Sequence, residues 1–321
     1  MLISIALILV GFLLLMWSAD LLVDNASILA SRIGISTFLI GVIIIGFGTS
    51  APEMFVSTVA ALQNKGNLAL GNALGSNITN IGLVLGSAAM VRALPVAKSA
   101  ARIDIPIVIM TGIIAIALVA DGLLSNLDGL ILLFLLAAYL YWSARYSQAG
   151  QSESQQDSND RNQEGERSSL MIFLFTIGSI VLLIAASSML VEGAVTIAKL
   201  LGVSELIIGL TIVAIGTSLP ELAAAIAAAR KGVHDMIIGN IIGSNIFNTL
   251  GVLGITGTIR ATEVDISALW RDFPIMLVFT LAMFIFAFTK GLFSRREGVL
   301  MLLGYFGYLT YLVVLTLGTA S

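Results

Sequence analysis

Glu53 and Glu221 each follow a proline inside a strongly apolar stretch. Each closes one copy of a hexapeptide, Gly48-Thr49-Ser50-Ala51-Pro52-Glu53 and, 168 positions later, Gly216-Thr217-Ser218-Leu219-Pro220-Glu221. A second shared block follows each copy: Gly71-Asn72-Ala73-Leu74-Gly75-Ser76-Asn77 and Gly239-Asn240-Ile241-Ile242-Gly243-Ser244-Asn245. A carboxylate withdrawn from water without a basic partner must be neutralised by a proton or a bound cation. An ion pair does not serve here, because every lysine and arginine falls near the end of an apolar run or between runs. Gly46, Gly48 and Pro52 weaken a continuous helix, glycine through backbone freedom and proline through its missing donor. Interrupted backbone at membrane depth is tolerated only inside protein or beside a polar cavity. Carbonyls freed there join the hydroxyls of Thr49 and Ser50 as oxygen ligands. The second copy supplies the same parts through Thr217 and Ser218, and the regions of the second blocks add Ser76, Ser244, Asn80 and Asn248. Asn77 and Asn245 either line the site or brace it. Two carboxylates with hydroxyl, amide and carbonyl oxygens, and no sulfur or imidazole, suit a hard cation: calcium takes about six to eight oxygen ligands, and sodium accepts similar ones. Zinc and copper would be poorly served. Small residues and hydroxyls also have structural uses, in close helix packing and in bonds back to their own helix. Two unpaired glutamates have no such use.

The elements that position these groups are expected to be membrane helices. Of 321 residues, 58% are hydrophobic and 11% charged, with mean hydropathy +1.03, which excludes an ordinary soluble domain. Ten apolar runs are long enough to cross a ~30 Å hydrocarbon core as helices: 2–31, 36–63, 67–91, 103–121, 127–146, 169–200, 204–230, 235–258, 272–290 and 298–318. The first run lacks a basic leading region and a small-residue cleavage site, so it is expected to remain as a span. The polar stretch 147–169 reads as a flexible linker too short for a regulatory domain. With no cysteine in the chain, disulfides and thiolate catalysis are excluded. The single histidine, His234, is expected in a short solvated loop beside Lys231 and Asp235. Asp104 and Asp272, next to Arg102 and Arg271, read as interfacial anchors, while Asp20, Asp24 and Glu192 lie toward span ends, where an ion-access role is conceivable.

Basic residues orient the spans. With the N-terminus outside, the inner loops collect Arg32, Arg92, Lys98, Arg102, Arg145, Arg161, Arg167, Arg230, Lys231, Lys290, Arg295 and Arg296. The outer loops hold only Lys65, Lys199, Arg260 and Arg271. Both termini are therefore expected outside and the 147–169 linker in the cytoplasm. The repeat extends past the motifs: Asp24 matches Glu192, Gly34 matches Gly202, and Asp104-Ile105-Pro106 matches Asp272-Phe273-Pro274. About 20 of the 48 positions in 39–86 are identical to those in 207–254 without a gap. The expected fold is thus all-α integral membrane, ten transmembrane helices in two five-helix repeats with broken helices at the core. Residues 1–146 form the first repeat and 170–321 the second. Five is odd, so the second repeat is inverted, the architecture in which secondary transporters hold a mid-membrane substrate site.

At these residues the chain resembles the calcium/cation antiporter superfamily, and most of all its prokaryotic sodium/calcium exchangers, over essentially its whole length. The resemblance implies a diamond of four inward side chains, Glu53 and Glu221 with Asn80 and Asn248. Thr49, Ser50, Ser76, Thr217, Ser218, Ser244 and carbonyls near Gly46 and Ala214 would complete the calcium and sodium positions. It implies alternating access in which the first and sixth helices slide across the other eight. It further implies residence in a prokaryotic inner membrane, Ca2+ and Na+ as cargo rather than resident cofactors, and no nucleic acid or obligatory protein partner. Several relatives carry Asp in place of one site asparagine, most often in the second repeat. This chain has Asn248, which disfavours potassium co-transport. Superfamily members coupled to protons use related repeats, so a proton-coupled calcium exchanger is the nearest rival. A cation channel would require a continuous pore. An intramembrane enzyme is disfavoured because neither cysteine nor a basic partner accompanies the glutamates.

Overall fold

Where the surroundings cannot hydrogen-bond the backbone, each peptide group must be satisfied within its own segment, which favours helices. The structure is a computed structural model describing residues 1–150, 168–202, 214–266 and 268–319. Its long elements are all helices: α1 Leu2–Ile33, α2 Thr37–Thr49, α3 Ala51–Leu62, α4 Gly66–Val91, α5 Ala100–Leu118, α6 Asn126–Gly150, α7 Ser169–Leu200, α8 Ala214–Thr217, α9 Leu219–Lys231, α10 His234–Ile259, α11 Ala268–Lys290 and α12 Arg295–Thr319. Eight are individually long and apolar enough to cross a membrane, and α2 with α3 make a ninth span bent by 43°. Of the expected span 204–230, the structure describes the part from Ala214, and 204–213 lie outside the described residues. So does 151–167, most of the expected linker. Helix α6 continues to Gly150, past the expected boundary at 146. His234 is not a loop residue: it is the first residue of α10, half-buried.

Local chemistry sets the ends of the two longest helices. At 32 residues each, α1 and α7 reach about 48 Å at 1.5 Å per residue, well beyond the hydrocarbon core. Gly34 ends α1 with φ 69°, and its repeat partner Gly202 follows α7 with φ 77°. This is the left-handed turn that glycine adopts without steric cost. The Ser168 side chain caps α7 by accepting from the Met171 amide.

The motif-bearing helices sit at the centre. The most apolar stretch of α10 is wholly buried and that of α4 is 72% buried, whereas those of α1, α6 and α12 are 28%, 28% and 17% buried. The outer helices present large apolar side chains such as Leu13, Trp17, Phe134 and Leu303 to the surroundings, as a lipid-facing layer does. Four two-residue strands, unforeseen from the sequence, clip the repeats together. β1 Leu94–Pro95 pairs antiparallel with β4 Leu292–Phe293, and β2 Leu123–Leu124 with β3 Thr262–Glu263.

Candidate functional site

Both hexapeptides break their helix at the serine. Ser50 (φ −83°, ψ 0°) separates α2 from α3, and Ser218 (φ −92°, ψ 7°) separates α8 from α9. Pro52 and Pro220 lie in the first turn of the following helix, where a missing N–H costs nothing because first-turn donors lack intrahelical partners. Glu53 and Glu221 thereby occupy first turns, where the positive end of the helix dipole favours an acid. They are 1% and 2% exposed.

The two breaks meet. The Ser50 hydroxyl of the first motif lies 3.5 Å from Glu221 Oε1 of the second. Thr49 donates to the Ile45 carbonyl at 2.9 Å, with Asn240 Oδ1 at 3.4 Å. On α10, Ser244 Oγ lies 3.5 Å from both the Gly46 carbonyl and Asn240 Oδ1. This crossing needs glycine: a Cβ at Gly239 would fall on the Phe38 carbonyl and one at Gly243 on the Val42 carbonyl. The equivalent crossing of Gly71 and Gly75 would involve segment 203–213, outside the described residues.

Several buried side-chain oxygens of the candidate residues have no hydrogen-bond partner. Both oxygens of Glu53, Oε2 of Glu221, Ser218 Oγ and the amide oxygens of Asn80 and Asn248 are in this state. No described lysine or arginine pairs with either glutamate. No group of three or more acidic or imidazole side chains suited to a metal exists among the described residues. Asn80 opens a π-helical turn, Asn80–Leu85, and its repeat partner Asn248 is the second residue of another, Phe247–Val252. Such turns shift the backbone hydrogen-bond register and recur at functional sites. Ser76 is 5% exposed on α4. Thr217 is half-buried, and Ala214 opens α8 as the first described residue of its segment.

Other sequence expectations resolve differently. Asn77 braces the repeats, donating to Thr249 Oγ1 at 2.7 Å, whereas Asn245 donates to its own helix at Ile241. Asp272 is held by Arg271 at 2.7 Å and by the Tyr308 hydroxyl at 3.1 Å. Asp104 is 6% exposed and forms no ion pair with Arg102 among the described residues, so of the two acids only Asp272 pairs with its neighbouring arginine. Three polar residues escaped the sequence reading as site elements. Asn240 faces Thr49. Asn72 donates to the Glu53 carbonyl and to Ser57. Ser187 of α7 donates to the Gly216 carbonyl at 2.9 Å, capturing a carbonyl at the helix break. A cavity of about 370 Å³, lined by Pro52, Ser187, Glu192, Gly216, Thr217 and Pro220 among others, opens beside the two motifs.

The family profile described as sodium/calcium exchanger protein matches residues 3–145 and 171–314. The chain is 39% identical to the putative antiporter CaxA of Alkalimonas amylolytica, over 96% of this chain and 98% of that protein. It is also 39% identical to the inner membrane protein YrbG of Escherichia coli K12, over 98% and 97% respectively. Among solved structures, the sodium-calcium exchanger NCX_Mj superposes with a TM-score of 0.84 at 29% identity, covering 97% of this chain and 99% of that one.

Proposed function

Starting from the fact that this chain belongs to the sodium/calcium exchanger family of multi-pass membrane transporters, we propose that it exchanges Ca2+ for Na+ by alternating access at the Glu53–Glu221 site. The observation that carries this reading is the pair of buried carboxylates without a described basic partner, in two helix breaks joined by the Ser50–Glu221 contact. Glu53 and Glu221 supply the charge. Asn80, Asn248, Ser50, Ser218, Thr49, Thr217, Ser76 and Ser244, with backbone carbonyls near Gly46 and Ala214, supply neutral ligands. With both acids ionised the site is formally neutral with one calcium and +1 with three sodium ions. Empty, it carries about −2, which is costly to move past a hydrophobic barrier. That penalty couples the fluxes and suppresses leak.

The ten-span inverted arrangement, in repeats 1–146 and 170–321, is supported by parity. β2 and β3 pair at one face, so an even number of crossings separates them. The described helices α6, α7 and α10 supply three, which leaves one for segment 201–231. The basic-residue distribution then argues for a cytoplasmic linker and external termini.

Coupling is tested by calcium uptake into proteoliposomes under an imposed sodium gradient at constant pH, and separately under a pH gradient without sodium. Uptake driven by sodium alone is expected. Uptake that follows the pH gradient and ignores sodium would replace this reading with proton coupling, which the same two carboxylates could serve by taking up two protons.

A further inference from the structure

The two repeats match in sequence but stand in different states around the site. The cavity beside the motifs is lined by Val56, Ser188, Glu192 and Thr217 among others. Shifted by the 168-residue repeat interval, these positions become Ala224, Asp20, Asp24 and Thr49 on the face that carries the basic loops. There the route is packed shut: Ala224 is 3% exposed and Thr49 0%, against 39% for Val56. The acids beside the shut route are occupied. Lys231 Nζ lies 2.7 Å from Asp24 Oδ1, 2.7 Å from the Asp20 carbonyl and 3.9 Å from Asp20 Oδ1. Glu192, the counterpart of Asp24, is exposed in the open cavity and makes no ion pair with a described lysine or arginine. Gln63, the counterpart of Lys231, carries no charge, so it cannot form the equivalent ion pair with Glu192.

We propose that Glu192 and Asp24 are the cation-access acids of the two routes, exposed in alternation, and that Lys231 is a tethered cation that occupies Asp24 while its route is shut. The ligand class is a sodium or calcium ion arriving from water. Opening the basic-face route separates α1 from the C-terminal end of α9. That separation withdraws the ammonium and leaves Asp24 to receive an ion as Glu192 does. Because the pair is partly exposed, its contribution is small, and the latch biases the equilibrium by about two- to five-fold. A bias of that size holds the gate without preventing turnover. The proposal rests on the alternating-access reading but not on the identity of the coupled ion.

The chain has no cysteine, so Ala224→Cys introduces a unique thiol on the shut route. Its labelling by a membrane-impermeant maleimide, in membranes with the basic face outward, reports opening whether or not calcium is transported. Lys231→Gln is expected to speed labelling about two- to five-fold, and the charge exchange Asp24→Lys with Lys231→Asp to return it to the unsubstituted rate. Unchanged labelling in Lys231→Gln, or fast labelling in the charge exchange, would overturn the latch. For the access acids, Asp24→Asn should raise the half-saturating calcium concentration at the basic face only, and Glu192→Gln at the opposite face only. Both effects should shrink as salt screens them. An effect equal on both sides, or none, would overturn the access role.

Discussion

At the scale of single residues, the site is defined by what its carboxylates lack. Glu53 and Glu221 are buried and unpaired with any described base, so each must be neutralised by a proton or a bound cation. Glu53→Gln or Glu221→Gln keeps shape and removes that charge. Breaking a buried charge pairing costs about 3–5 kcal/mol, so calcium flux should fall at least 100-fold, by roughly that energy at 1.4 kcal/mol per decade. In cation-free buffer the variants should melt no lower than the native chain, because each buries one like charge fewer. Calcium at about 100 times its Kd should stabilise the native chain by roughly 2.7 kcal/mol, an increment expected to vanish in both variants. Transport retained in both would remove the site from consideration. The glutamates, serines and asparagines were legible because the chain states them twice. Ser187 was not, since its repeat partner is Ala19 and nothing in the sequence echoes its bond to the Gly216 carbonyl. Asn240 stood inside a repeated block, but its contact with Thr49 depends on a helix crossing that spacing alone does not reveal.

At the scale of elements, the helix breaks were readable because proline and glycine act locally, whereas the π turns at Asn80–Leu85 and Phe247–Val252 and the two strand pairs arise from packing that no local residue type announces. The crossing of α2 with α10 is tight enough to test. Gly243→Ala would place a methyl group on the Val42 carbonyl, and overpacking of this kind costs about 1–3 kcal/mol. A lower melting temperature is expected, with calcium flux reduced as Ser244 moves away from the Gly46 carbonyl. An unchanged melting curve would mean that the crossing is looser than described. The Asn77–Thr249 bond joins the two repeats at 2.7 Å, and interhelical hydrogen bonds in membranes contribute about 0.6 kcal/mol on average and at most about 1.7. Asn77→Ala and Thr249→Val should each destabilise by an amount in that range. The double variant should lose little more than either single one, and simple additivity would count against direct coupling.

At the scale of the whole molecule, the two helix breaks meet, and in the proposed exchange cycle the charge of their shared site decides where voltage acts. For a three-to-one exchange through a site of two acids, the calcium-loaded form is neutral and the sodium-loaded form carries +1, so the sodium limb moves charge across the membrane. In the proposed site, Asn248→Asp adds a third acid to the two glutamates. The calcium-loaded form then carries −1 and the sodium-loaded form is neutral, while the charge moved per complete cycle stays the same. The electrogenic step should therefore pass from the sodium limb to the calcium limb. In proteoliposomes on a solid-supported membrane, a sodium jump without calcium should give the larger transient current in the native chain, and a calcium jump the larger one in the variant. A native chain whose charge displacement comes mainly from calcium jumps would show that its site holds other than two ionised carboxylates. On the proposed reading, a neutral residue at position 248 is what leaves the calcium-loaded form balanced and the sodium-loaded form in excess.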